Sequence, residues 1–133
     1  MTRTIADIMT TELVTFQPDQ DIHHAIHILL EKRISGAPVT DKSGKLVGIL
    51  SRKDCLKIAF SARYHDDWGG LVQDYMVREV KTLDAGLDVI AAVQLFLEAS
   101  FRRFPVMRDG ELVGLVSRHD ILSALSKNLW GQH

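Results

Sequence analysis

"LVGILSRKD" at Leu46–Asp54 returns as "LVGLVSRHD" at Leu112–Asp120. Across the longer aligned stretches Leu46–Leu56 and Leu112–Leu122, seven of eleven positions are identical, including the Ser, Arg and Asp. Self-similarity at a fixed spacing is the sequence signature of a repeat architecture. The protein therefore carries the structural unit that contains this phrase in two copies.

The similarity extends towards the start of the chain. At a constant offset of 67 residues, three further pairs match: Asp7/Asp74, Met9/Met76 and Thr15/Thr82. "APV" at Ala37–Val39 likewise matches "FPV" at Phe104–Val106. We predict a first repeat at 1–60, a linker at 61–70 and a second repeat at 71–133.

Each repeat predicts the order βαββα. A short extended piece precedes an aspartate, Asp21 or Asp88, of the kind that caps a helix N-terminus. Apolar residues then follow at i, i+3, i+4, i+7 and i+8, a buried helical stripe in each copy: Ile22, Ala25, Ile26, Leu29 and Leu30, then Val89, Ala92, Val93, Phe96 and Leu97. A hairpin and a second helix, starting at Ser51 or Ser117, complete the unit.

One unit of about 60 residues buries little apolar surface and leaves its sheet uncovered. We therefore predict an α/β fold of the α+β type, in which two βαββα repeats pack sheet to sheet with pseudo-two-fold symmetry.

Composition narrows the functional class. The chain has 133 residues, a net charge of −1 and one cysteine, so neither a basic nucleic-acid surface nor an internal disulfide is expected. No apolar run approaches the ~18 residues of a membrane span, and the first residues do not resemble a signal peptide. We predict a cytoplasmic protein that binds neither nucleic acid nor membrane. With no glycine-rich phosphate loop and no nucleophile–base pair, we expect no enzyme.

"SRKD" and "SRHD" allow two interpretations. Serine followed three residues later by an acid resembles a capping box, which would make the motif purely structural. Alternatively, the free N–H groups of a helix start favour an anion, and an adjacent arginine offers a fork for phosphate. The aspartate could accept hydrogen bonds from a vicinal diol, so the motif also suits a nucleotide.

Three stretches together resemble a tandem pair of cystathionine-β-synthase-type (CBS) domains, a Bateman module. They are "DIMT" (Asp7–Thr10), Ile34–Asp54 and Phe101–Asp120, and the resemblance covers essentially the whole chain. It implies a stand-alone regulatory module that binds an adenosine-containing ligand in the cleft between the repeats. The ligand class is AMP, ADP, ATP, S-adenosylmethionine or a dinucleotide, and no other cofactor is expected.

The resemblance also implies two sets of ligand-binding residues. The first set combines the Gly-x-Pro region of repeat one with the Ser-x-x-Asp of repeat two: Thr15, Ile34, Ser35, Gly36, Ala37, Pro38, Ser117, Arg118 and Asp120. The second, weaker set is the reciprocal combination: Thr82, Phe101, Arg103, Phe104, Pro105, Ser51, Arg52 and Asp54. It departs from the family pattern because Arg103 and Phe104 replace the smaller residues Gly36 and Ala37.

Two alternatives to ligand sensing stay open. In the first, the fold serves as a ligand-free scaffold for dimerisation and interaction. In the second, the histidines of "HHAIH" (His23, His24 and His27) make a metal sensor, although their place opposite the apolar stripe favours a solvated face. Two protein partners are expected. One is a second copy of the chain, which would bind through the apolar second helices, and the other is an unidentified regulated protein.

Two smaller features complete the predictions. Cys55 stands where the second repeat has Ile121, so we expect a small buried side chain rather than a nucleophile. The stretch around His65, Asp66 and Asp67 is expected to be a flexible polar linker tethered by the aromatic ring of Trp68.

Overall fold

The computed structural model describes residues 3–65, 68–99 and 102–129. The helices and strands, in chain order, are α1 (Ile5–Ile8), α2 (Ile22–Glu31), β1 (Gly36–Thr40), β2 (Leu46–Ser51), α3 (Arg52–Cys55), α4 (Lys57–His65), a 3₁₀ turn (Val72–Asp74), β3 (Leu83–Asp84), α5 (Val89–Glu98), β4 (Arg103–Arg108), β5 (Glu111–Ser117) and α6 (Arg118–Leu129). The mixture of short sheets and helices confirms the predicted fold class. Within the described ranges, no helix is both long enough and apolar enough to cross a bilayer.

The chain divides into two compact units. Unit 1 contains Met1–Leu13 together with Lys81–His133, and unit 2 contains Val14–Val80. Unit 1 thus combines the first 13 residues of the chain with residues of the second repeat. These compact units do not coincide with the sequence repeats 1–60 and 71–133, because the segment that leads into each repeat packs in the unit formed by the other repeat.

Backbone pairing explains this exchange of leading segments. In unit 1, Thr10 exchanges two hydrogen bonds of 2.9 and 3.0 Å with Leu115 on β5. In unit 2, Val77 exchanges two of 2.9 Å with Ile49 on β2. Each leading segment thereby covers part of a strand edge that would otherwise expose unpaired N–H and C=O groups.

Unit 2 is built on the hairpin of β1 and β2. Its antiparallel register runs from Gly36 opposite Ser51 to Thr40 opposite Leu46, with an irregularity between Val39 and Thr40. The third strand predicted for this repeat is reduced to a single bridge between Phe16 and Val39. Phe16 is nevertheless buried, so it contributes to the core of the unit although the extended pairing is missing.

Unit 1 has the complete three-stranded sheet, in the order β3-β4-β5. β3 pairs parallel to β4, and β4 pairs antiparallel to β5. Its core contains side chains from all three strands and from helices α1, α5 and α6; buried members include Ile5, Leu83, Phe96, Val106, Val116 and Ile121. The second helix is continuous here, whereas in unit 2 it is interrupted at Leu56 between α3 and α4.

The first helix of each repeat buries a narrower stripe than predicted. Asp21 and Asp88 cap α2 and α5 as expected, and Ile22, Ala25 and Leu29 are buried. The prediction was wrong for the last member of each stripe, since Leu30 is 60% exposed and its counterpart Leu97 is 80% exposed. One residue step turns a helix by about 100°, which carries these leucines off the buried face.

Four aspartates share one structural role. Each accepts the backbone N–H of the residue three positions earlier, at 2.8–2.9 Å, and so satisfies a donor at a helix start: Asp7 from Thr4, Asp54 from Ser51, Asp74 from Leu71 and Asp120 from Ser117. The hydrogen bond from the Thr4 backbone holds the pKa of Asp7 below its ordinary value. The recurrence of aspartate in both copies is thus explained in part by capping.

Candidate functional site

In each unit, the start of the hairpin lies next to its own Ser-Arg dipeptide. In unit 2, Arg52 N–H donates to the Ser35 carbonyl at 2.8 Å, and Gly36 pairs with Ser51. In unit 1, Arg118 N–H donates to the Arg102 carbonyl at 2.9 Å. The structure therefore assembles, within one unit, residues that the sequence analysis assigned to different sets.

The side chains at these hairpin starts differ in accessibility. Ala37, Pro38, Phe104 and Pro105 are buried in the cores of their units, so the rings of the prolines are structural. Arg52 and Arg118 are exposed, as is Thr15, while Ile34 packs at the edge of its core. Phe101 lies outside the described residues. The predicted grouping of Ser35 with Asp120 joins residues of different units and stays a prediction.

Asp54 belongs to a reciprocal capping box. Its Oδ2 accepts from the backbone N–H of Ser51 at 2.9 Å and from the Ser51 hydroxyl at 2.8 Å, while its own N–H donates to Ser51 Oγ at 3.1 Å. The other oxygen, Oδ1, is 3.4 Å from the Lys57 ammonium. With 8% of the residue exposed, both oxygens of this carboxylate are engaged, one by Ser51 before α3 and the other by Lys57 at the start of α4.

Asp120 forms the same box but keeps more of its carboxylate accessible. Ser117 N–H donates to its Oδ2 at 2.8 Å, and Asp120 N–H donates to Ser117 Oγ at 3.2 Å. Ser123 stands where the first copy has Lys57, and no cation in the described part of the chain pairs with Asp120. The capping interpretation of "SRKD" and "SRHD" is therefore confirmed. In the second copy, it leaves one carboxylate oxygen open to a further donor.

A cavity of about 280 Å³ lies within unit 1, beside the end of α5. Its walls come from β4, from α5 and from the segment entering β3: Lys81, Thr82, Leu83, Leu95, Glu98, Ala99 and Phe104. Two of these, Thr82 and Phe104, belong to the second predicted set. This volume lies just below the roughly 300–1,000 Å³ typical of small-molecule sites.

Phe104 forms a wall of this cavity without filling it. Its ring packs edge-to-face against Phe96, with 4.9 Å between centroids, and it is almost completely buried. Within unit 1 the cavity therefore lies beside the Phe104 ring.

The sequence analysis missed Leu95 and Glu98 as cavity residues. Leu95 lies in the last turn of α5 and Glu98 is its final residue, and both lie on the helix face next to the buried stripe. An i, i+3 spacing to Ala92 and Leu95 would have been the available indication.

Cys55 has the predicted position and character. It is 8% exposed, and burial together with the neighbouring Asp54 charge raises the pKa of its thiol to about 11. The thiol is therefore almost entirely protonated near neutral pH, where it is a poor nucleophile.

The three histidines of α2 lie on its exposed face, as predicted. The His23 ring hydrogen-bonds the Trp68 carbonyl, and His27 pairs with Glu31 at 2.9 Å. In the described part of the chain, no three His, Cys, Asp or Glu side chains group as metal ligands would.

The segment after α4 differs from the expected linker. The helix continues to His65, and the carbonyl groups of Gly69 and Gly70 accept hydrogen bonds from Tyr75 Oη (2.8 Å) and Ile22 N–H (3.0 Å). Backbone carbonyl groups therefore hold this segment in place, whereas the ring of Trp68, the predicted tether, is exposed. Asp66 and Asp67 lie outside the described residues.

Comparison with known proteins identifies the repeated unit. The CBS domain matches twice, at residues 5–61 and 72–127. Protein MJ1225 of Methanocaldococcus jannaschii is 25% identical over 124 residues, which is 93% of this chain and 43% of that protein. The chain therefore spans less than half the length of this relative.

Two similar solved structures contain ligands. CBSX2 from Arabidopsis thaliana in complex with AMP is 29% identical, with a TM-score of 0.83 over 94% of this chain and 97% of that chain. The CBS domain pair of protein MJ0100, in complex with 5-methylthioadenosine and S-adenosyl-L-methionine, is 25% identical, with a TM-score of 0.80 over 96% and 99%. All three bound molecules contain adenosine.

Proposed function

The chain belongs to the CBS-domain family, and we propose that it is a regulatory module that binds an adenosine-containing ligand. The observation that supports this most strongly is the likeness, over nearly the whole chain, to two domain pairs whose structures hold AMP, 5-methylthioadenosine or S-adenosylmethionine. The cavity of unit 1, which Thr82 helps to line, adds a candidate place for such a ligand. The module senses the ligand and performs no catalysis.

Binding would act through linkage. A ligand shifts a conformational equilibrium only by the difference in its affinity for the two states, so occupancy must favour one arrangement of the module. A regulated protein that prefers this arrangement then responds to ligand concentration, and reciprocally changes ligand affinity. Asp120 and Asp54 are the proposed ribose ligands, each combining this role with helix capping.

Adenosine ligands should raise the melting temperature. At ~100 times the dissociation constant, one bound ligand adds about 2.7 kcal/mol to the free energy of unfolding. For a chain of 133 residues this corresponds to a shift on the order of 5–15 °C. Thermal denaturation with AMP, ATP, S-adenosylmethionine and 5-methylthioadenosine measures it, with guanosine monophosphate as the matched control.

A flat melting curve with every adenosine ligand at millimolar concentration would instead favour the scaffold alternative. EDTA and zinc serve as a second pair of additives. If zinc stabilises the protein and replacement of His23 and His27 abolishes the effect, the metal-sensor alternative replaces ours.

The protein is further proposed to form a homodimer through helix faces. Two exposed leucines recur at matching positions of the second helices: Leu56 is 71% exposed and Leu122 is 65% exposed. Exposed leucines that occur in both copies mark a surface suited to association, and two-fold pairing is the commonest closed arrangement.

Charged residues at these leucines should produce monomers. Light scattering of the parent chain is expected to give twice the 14.9 kDa of one chain, and the Leu56→Glu/Leu122→Glu variant should give one. Lys127→Glu is the control, because Lys127 is exposed but lies about 140° around α6 from Leu122. A parent chain of monomer mass at micromolar concentration would exclude the dimer.

A further inference from the structure

The cavity of unit 1 carries two opposite charges. Lys81 and Glu98 both line it, one on the segment entering β3 and the other at the end of α5. Between them the walls are apolar, with Leu83, Leu95 and Phe104. The cavity thus combines a surface suited to a flat ring with one cation and one anion.

These charges are not neutralised by each other. No ion pair joins Lys81 to Glu98 or to any other described residue. Glu98 instead accepts a hydrogen bond from the neutral side-chain amide of Gln94, at 3.1 Å. The matching residue of the first repeat, Glu31, instead pairs with His27 at 2.9 Å, and Val14 stands at the position of Lys81. Two opposite charges that form no ion pair with a described residue are therefore particular to the cavity of the second repeat.

We propose, building on the proposed binding of adenosine ligands, that this cavity selects an adenosine carrying an amino-acid tail, the chemistry of S-adenosylmethionine. An α-amino acid presents one ammonium and one carboxylate on a short stem. Glu98 would accept hydrogen bonds from the ammonium, and Lys81 would donate to the carboxylate. Lys81 and Glu98 are thus specificity-determining residues for the tail, while Leu95 and Phe104 contact the adenosine.

A phosphate tail fits the same lining less well. It would pair with Lys81 but lie near the Glu98 carboxylate, and like charges repel each other. Arg103, which precedes Phe104 on β4, does not line the cavity, since successive side chains of a strand point to opposite faces.

Calorimetric titration of the Glu98→Gln variant tests this assignment. S-Adenosylmethionine should bind about threefold to fivefold more weakly than to the parent chain, as expected for an accessible charge pair. 5-Methylthioadenosine, which has the same nucleoside but no amino acid, should bind unchanged, and AMP should not weaken. Lys81→Met should reproduce the pattern, and the two changes together should cost about tenfold.

The matched control is Glu31→Gln, the same substitution at the corresponding position of α2, which should leave both ligands unaffected. If S-adenosylmethionine and 5-methylthioadenosine bind equally well and Glu98→Gln alters neither, the assignment of the tail is wrong while adenosine binding stands. If neither ligand binds the parent chain, the proposed function is overturned, and this inference with it. If Glu98→Gln weakens the binding of both ligands equally, this inference is also contradicted, since a distorted cavity would have that effect.

Discussion

The Gly114→Ala variant is expected to lose about 2–3 kcal/mol of unfolding free energy and to melt about 10 °C below the parent chain. A Cβ at Gly114 would clash with the Met9 sulfur and would lie 3.0 Å from the Thr10 carbonyl oxygen. The leading segment cannot keep its two backbone hydrogen bonds to Leu115 and also move away from the new methyl group. Chemical denaturation monitored by circular dichroism measures the loss.

Gly110→Ala is the matched control, four residues earlier in the same hairpin. Gly110 has a positive φ of 80° but no atom within 4 Å of an added Cβ, so alanine there meets only conformational strain of about 1 kcal/mol. Replacing Met9 by alanine in the Gly114→Ala background should recover part of the loss, because the closest contact disappears. Equal destabilisation by the two glycine variants would show that the leading segment does not pack tightly on β5.

Local patterns predicted the elements well because their causes lie within a few residues. The aspartate caps, the hairpins and most members of the buried helix stripes follow from spacing in the sequence, and the structure has them. The exchange of leading segments was not predictable in this way. Thr10 pairs with Leu115, and nothing in the residues next to Thr10 identifies a strand edge more than 100 positions away.

The binding site was predictable only in part, for a related reason. The repeated Ser-x-x-Asp drew attention to Asp54 and Asp120, but a repeat argument treats the two copies as equal. Their difference comes from Lys57, which engages Asp54 and has no counterpart beside Asp120. The sequence did not distinguish Glu98, because glutamate occupies the same position in both repeats. Only the structure shows that Glu31 forms an ion pair with His27, whereas Glu98 forms none with a described residue.

Asp120→Asn should weaken AMP binding by about 10- to 150-fold, whereas Asp54→Asn should change it much less. A hydrogen bond to a charged carboxylate contributes roughly 1.5–3 kcal/mol, and this variant removes the charge while keeping the size of the side chain. Asp54 already accepts from the Ser51 hydroxyl and lies beside the Lys57 ammonium, so it has less capacity to bind a ribose. Calorimetric titration with AMP compares the two variants.

Helix capping supplies the control for this comparison. Asparagine keeps one carbonyl oxygen that can accept the Ser117 N–H, so Asp120→Asn should lower the unfolding free energy of the unliganded protein by less than about 1 kcal/mol. A larger cost is expected for Asp54→Asn, because both of its oxygens are engaged and its site is more buried. If both variants lose the same unfolding free energy and bind AMP as tightly as the parent chain, the repeated aspartates act only as helix caps. A greater loss of affinity in Asp54→Asn would instead place the AMP ribose at the first copy of the motif.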